Sequence, residues 1–262
     1  MRIFLTVLWI TLITNGTAQA GSFDHSYASY DAMLRAHVDE TGLVDYGAVA
    51  KDRRLARFIA AVAEVSAEEL AEWSRVQQMA FLINSYNALT LQTIVEAPGI
   101  TSIREIKPDP WETARWKVAG RMVSLNFLEH TRLRGQFGEE RVHFVLVCAA
   151  KGCPKLPRRA IRADTLSEQL DAYSRAFVRD IQRNRIDRSG RKLHLSRIFQ
   201  WYADDFVVRG KELPESLKEL KGKQGGVVRY IYPLLSEGDQ GFLEDGKFEV
   251  VYSEYDWSLN AR

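Results

Sequence analysis

The spacing of apolar side chains divides the chain into helical and extended pieces. Residues 23–37 place Tyr27, Tyr30, Met33 and Leu34 on one side at three- and four-residue intervals, the period of an amphipathic helix. Residues 51–65 repeat the pattern with Leu55, Phe58, Ile59 and Val62. Ser66, followed by Glu68 and Glu69, is a helix start with acids in the first turn, and that helix ends near Trp73. Residues 77–95, QQMAFLINSYNALTLQTIV, are apolar nearly all round, which predicts a central buried helix stopped by Pro98-Gly99. Residues 41–46 read as a turn and a short extended piece, and 103–116, with two prolines, as irregular. Residues 116–125 predict a hairpin with Gly120 in its turn, and Ser124 caps the next helix. The run VHFVLVC, residues 142–148, reads as a buried strand leading into a loop over 149–157. Beyond it the pattern predicts a long amphipathic helix over 165–183, strands at 192–195 and 248–252, and helices over 196–205 and 227–235, with 211–224 polar and partly helical. No repeat, low-complexity tract or long linker interrupts the chain. The expected fold is α+β: a helix-rich single domain over residues 21–262, around a small, mostly antiparallel sheet.

Residues 1–20 stand apart from this pattern. Arg2 precedes an apolar run from Ile3 to Ile13, and Ala18-Gln19-Ala20 matches a small-x-small cleavage signal. The run is too short to span a bilayer, which takes roughly 20 helical residues. The expectation is a signal peptide cut after Ala20, leaving no stable membrane anchor, and a periplasmic or secreted protein in an oxidising compartment.

Charge changes the picture by exclusion. Lys and Arg number 36 against 34 Asp and Glu, a formal net charge of +2, which argues against nucleic acid as a partner. With 46% hydrophobic and 27% charged residues the chain is an ordinary globular one, and two cysteines exclude both a disulfide-dense scaffold and a four-thiolate zinc site. Motifs for dinucleotide or P-loop phosphate binding, zinc proteolysis, nucleophile elbows and EF-hands are absent. No cofactor and no metal is expected.

Three segments put polar groups where the pattern calls for apolar ones. Asn84, Tyr86 and Asn87 sit in the most apolar helix, and buried amides need partners. They either tie down neighbouring loops or orient a base and donate to an oxyanion. The second segment runs from His143 through Cys148 and Lys151 to Cys153. Strand alternation turns His143 away from Cys148, while Lys151 favours a thiolate. The two thiols are open to a local disulfide, to nucleophilic catalysis with a His base, to a His/Cys metal site that lacks a fourth ligand, or to no chemistry at all. The third segment holds Glu129 and His130, which point in different directions on a helix and read as a solvated face, with His130 a second candidate base. His25, His37 and His194 read as surface residues. Asp204-Asp205 reads as a solvated pair, and Trp201, Tyr202, Tyr255 and Trp257 read as core in preference to a groove lining.

Several of these pieces recur together in one order. They are Asp45-Tyr46, the helix around Asn84-Ser85-Tyr86-Asn87, Ser124-Leu125 with Glu129-His130 and Leu133-Arg134, His143-Phe144 with Cys148 and Gly152-Cys153-Pro154, Ile198 to Phe206, and Tyr255-Asp256-Trp257-Ser258-Leu259-Asn260. The sequence from Tyr30 onward resembles the DUF547 family, a domain of unknown function, and its exported two-cysteine form is similar to the proteobacterial branch. The resemblance implies a fold distantly related to papain-like and transglutaminase-like cysteine enzymes. Those enzymes place Cys before His, whereas both candidate His residues here precede the thiols, so the relation requires a rearranged order. Plant members do not always keep both cysteines, which leaves Asn84, Tyr86, Asn87, Glu129 and Asp205 as an alternative functional set.

Two functions follow as expectations. One is a cysteine-dependent hydrolase or acyl/amide transferase, with Cys148 or Cys153 as nucleophile, His143 or His130 as base, and Asn84 or Asn87 as orienting or oxyanion group. Tyr86, Glu129, Lys151, Trp201 and Asp205 would then contact the substrate. The other is a non-catalytic domain with a structural Cys148–Cys153 disulfide, binding a small molecule or a peptide.

Overall fold

The computed structural model describes residues 23–206 and 213–262. The expected leader at 1–20 and the start of the polar 211–224 segment lie outside the described residues. The N-terminal half is built from helices α1 (Ala28–His37), α2 (Tyr46–Val49), α3 (Arg53–Glu64), α4 (Ala67–Glu72) and α5 (Arg75–Val95). Their starts are written in side chains: Asp45, Asp52, Ser66 and Ser74 each accept a backbone N–H of the following turn, and Ser74 with Gln77 completes a capping box. Helix α5 is buried on every side through its middle, from Met79 to Leu91. Its Thr90 and Thr93 hydroxyls donate to the carbonyls of Tyr86 and Leu89, at 2.9 and 2.8 Å, so no buried hydroxyl of these two is left unpaired.

Strands β1 (Trp116–Val118) and β2 (Arg121–Val123) form the expected hairpin. Both loop residues have positive φ, Ala119 at 49° and Gly120 at 71°, the combination that matches strand twist in a two-residue turn. Beyond β2 the chain enters an unusual element, a π-helix over Phe127–Phe137. Such helices are rare beyond a single turn.

The C-terminal half contains α6 (Leu166–Val178), β3 (Arg185–Asp187), β4 (Lys192–Leu195), α7 (Arg197–Trp201), α8 (Glu215–Lys218), α9 (Gly222–Ile231), α10 (Glu237–Glu244) and β5 (Glu249–Tyr252). Strand β4 is central, antiparallel to β3 and parallel to β5, with Leu193 opposite Ile186 and Val250. The architecture is helix-rich α+β. One apolar cluster gathers α1, α3, α5 and Leu146; the second gathers Phe144, Phe177, Phe199, Phe206 and α9.

Residues 142–148 are not a strand. Glu140–Phe144 is a 3-10 turn, Val145 continues the turn, and 146–148 is irregular chain without a partner strand. The run is buried as expected, but its main chain pairs with a side chain. Asn87 Nδ2 donates to the Val145 carbonyl at 2.8 Å, and the Val147 N–H donates to Asn87 Oδ1 at 3.0 Å. One carboxamide therefore does the work of a neighbouring strand, and the strand alternation that separated His143 from Cys148 does not apply.

Among the described residues no helix is long and apolar enough to cross a membrane.

Candidate functional site

A cleft of about 330 Å³ opens between the two apolar clusters. Helix α5 contributes Tyr86 and the π-helix contributes Glu129. The 142–154 segment contributes His143, Cys148 and Cys153, and α7 with the turn after it contributes Trp201 and Tyr202. The C-terminal segment adds Tyr255 and Trp257, and Trp111, Glu112, Asp109 and Asn126 complete the rim.

At the buried end, polar groups form one chain. The Tyr202 hydroxyl donates to Glu129 Oε1 at 2.8 Å. The Tyr202 ring stacks on His143, with centroids 4.0 Å apart. His143 Nε2 meets Asp205 Oδ2 at 2.7 Å, and Arg134 grips both oxygens of Asp205 at 2.6 and 3.0 Å. Burial alone would raise the Asp205 carboxyl, but the hydrogen bonds from His143 and Arg134 outweigh it and hold the group well below the usual carboxylate range. The ionised Asp205 accepts from His143 Nε2, and Nδ1 is the other nitrogen of a ring that is only 4% exposed. Burial, then the adjacent Glu129 carboxylate, pushes the Tyr202 and Tyr86 hydroxyls up, so both stay protonated donors. The wide π-helix places three groups around Tyr202: Glu129 at its hydroxyl, the Arg134 guanidinium 4.8 Å from its ring centre, and the His130 ring 6.3 Å away.

Cys148 and Cys153 are joined in a disulfide. The Tyr255 hydroxyl lies 3.0 Å from the Cys153 sulfur and 3.3 Å from the Cys148 sulfur. The loop they close is laced to the C-terminal segment, with Lys151 N–H donating to Ser258 O and Gly152 N–H to Asp256 O, both at 2.8 Å. A Cβ on Gly152 would lie 3.0 Å from both the Asp256 nitrogen and the Tyr255 ring, so the close approach needs glycine. Arg183 holds the other side through the carbonyls of Cys153 and Lys151, each at 2.7 Å.

Residues 70–178 match the model of the DUF547 family, described as a protein of unknown function. No curated protein and no solved structure matches the chain. The DUF547 stretch carries Tyr86, Glu129, His143 and both cysteines; Trp201, Tyr202, Asp205, Tyr255 and Trp257 lie beyond it.

Of the residues singled out from sequence, the cleft lining brings together Cys148, Cys153, His143, Tyr86, Glu129 and Trp201, with Asp205 behind His143. The other four are elsewhere. Asn84 is buried against the Ile161 main chain, donating to its carbonyl at 2.7 Å and accepting its N–H at 2.9 Å. Asn87 is committed to Val145 and Val147, so both amides tie down loops and neither faces the cleft. His130 accepts from Arg134 through Nδ1 at 2.7 Å and is not in the lining. Lys151 belongs to a separate hollow of about 560 Å³, in which Asp180 and Arg183 pair with each other and Tyr255 is the one aromatic wall. Tyr202, Tyr255 and Trp257 are half-buried and pack against the apolar clusters as well as lining the groove, whereas the preference for core is corrected at Trp201, which is 47% exposed. Asp205 is not solvated but paired. Nor are two of the remaining histidines simple surface residues: His37 bonds Asp52 at 2.7 Å and His25 packs on Trp73. Among the described residues no cluster of three or more His, Cys, Asp or Glu could hold a metal ion.

Sequence reasoning named Arg134 within a motif but gave it no role, and passed over Trp111, Glu112 and Asn126. Arg134 had a signal in its place one helical turn from His130, the contact the fold makes. The rim residues carried none.

Proposed function

We propose that the cleft holds a small molecule or a segment of peptide, and that the Cys148–Cys153 disulfide braces one wall of it. The observation that carries this reading is an aromatic-walled cavity of ligand size in which both sulfurs are already bonded to each other. Export through a leader at 1–20 agrees with it, because such bonds persist in oxidising compartments. The test is a titration of the unreduced full chain with small amines, acids and blocked amino acids, read by tryptophan fluorescence. Binding that weakens in Trp257→Ala and Tyr202→Phe supports the cleft, and a panel that binds nowhere, or equally well to both variants, overturns it.

One observation favours a second reading, a cysteine-dependent hydrolase or acyl/amide transferase. His143, oriented by Asp205, lines the same cleft as Cys148. A dithiol would first reduce the disulfide, becoming oxidised itself. His143 Nδ1 would then take the Cys148 proton, the thiolate would attack the acyl carbon, and the leaving amine would depart with that proton. Water or a second amine would release the acyl group and restore the thiol. Turnover of an activated acyl ester that appears only after reduction, and disappears in Cys148→Ser and His143→Ala, would replace the binding reading with this one. No turnover in either redox state retains the binding reading.

A further inference from the structure

We infer that the ligand of this cleft is a cation on an apolar stem, an amine or guanidinium of the kind found on a basic side chain. The inference rests on the binding reading above and names its chemical class. The lining contains no lysine or arginine. It contains three acids at two depths: Glu129 at the buried end, 7% exposed, and Asp109 and Glu112 at the exposed rim. Arg134 spends its hydrogen bonds on Asp205 and His130 and acts on Glu129 only through space. The hydroxyls that hydrogen-bond Glu129, those of Tyr202 and Tyr86, are neutral donors.

Between floor and rim stand aromatic faces. Tyr255 and Trp257 have centroids 4.7 Å apart, Trp201 and Tyr255 4.8 Å, and Trp111 and Trp257 6.1 Å. Ring faces carry negative potential and attract cations, the more so where water is excluded. This fold already uses its rings in that way. The Arg104 guanidinium sits 5.1 Å from the Trp257 ring centre and the Arg134 guanidinium 4.8 Å from that of Tyr202. An anion would meet three carboxylates in the lining, while the Arg104 and Arg134 guanidiniums lie behind the rings and outside it. A neutral ligand would satisfy the rings and leave Glu129 hydrogen-bonded by neutral hydroxyls alone. A cation with a hydrocarbon stem uses all three layers: stem against the rings, charge toward Glu129, and entry past Glu112 and Asp109.

The test compares three probes of similar size, Nα-acetyl-lysine methylamide, Nα-acetyl-norleucine methylamide and Nα-acetyl-glutamate methylamide. They are titrated into the full-length, disulfide-intact protein at low and at near-physiological salt. The lysine probe is expected to bind at least about tenfold more tightly than the norleucine probe at low salt, with the margin narrowing as salt rises. Glu129→Gln and Glu112→Gln, each checked for an unchanged melting midpoint, are expected to shrink that margin. If Glu129→Gln does not fold, Glu112→Gln together with the salt series decides. Equal or tighter binding of the norleucine or glutamate probe overturns the cation inference and leaves the cleft standing as a binding site. No binding by any of the three overturns both.

Discussion

Asn84 and Asn87 lie three positions apart on one buried helix, and each spends both ends of its carboxamide on main chain from another segment. Truncating either to alanine would strand a buried N–H and a buried carbonyl together. We expect Asn84→Ala and Asn87→Ala each to lower unfolding free energy by about 2–4 kcal/mol, measured by denaturant midpoints, without changing ligand affinity in the folded protein. Asp205 makes a second prediction. Its folded carboxyl is held below the unfolded value of about 4, so it stabilises the fold above that pH and the contribution is lost as the pH falls through it and further. The acid limb of a stability–pH curve should therefore be less steep in Asp205→Asn than in the parent protein; an identical slope would show that the His143–Asp205–Arg134 contact contributes no linkage. Sequence made the polar residues of α5 conspicuous but not their roles, since a buried amide looks the same whether it meets a loop or a ligand. The apolar setting that singled out Asn84 reports burial and not access to the cleft, and the carboxamide that reaches the cleft is Asn126.

Helices with caps and a one-sided apolar stripe were legible. The Ser66 start of α4, the Pro98-Gly99 stop after α5 and the Gly120 hairpin are local features that tertiary contacts do not override. Residues 142–148 show the limit. A short apolar run demands burial but carries no period, and Asn87 supplied the pairing that a strand would have needed. The π-helix was equally invisible, because a widened turn differs from an α-helix by a single residue of register. It matters for the site, as Glu129, His130 and Arg134 surround Tyr202 from that one element. A close approach between elements is at Gly152, where the disulfide loop meets the C-terminal segment. Gly152→Ala is expected to cost about 1–3 kcal/mol by overpacking and to weaken ligand binding by shifting Tyr255. Both effects are measurable on one sample, by a denaturant titration with and without ligand. Unchanged affinity would separate the Tyr255 wall from recognition.

Across the whole molecule the charge is nearly balanced, with a formal net of +2, and that total hides a cleft lined by three acids. Composition reports the sum, and only the fold reports the distribution. The disulfide also acts at this scale. It spans a sequence separation of 5, and closing so short a loop is worth about 2 kcal/mol of chain entropy. Reduction should lower the unfolding free energy by about that amount, seen as a shift of the denaturant midpoint. A much larger loss would mean that the brace holds the two apolar clusters in position as well as the loop. The rings around the cavity come from places far apart along the chain, Tyr86 and Trp111 early, Trp201 and Tyr202 later, Tyr255 and Trp257 last. During synthesis, then, the ribosome delivers Glu129 and His143 long before the final two rings arrive to enclose them. Until that last stretch emerges and threads back along the 148–153 loop, a nascent polypeptide has the acids and the imidazole but nowhere to seat a guest.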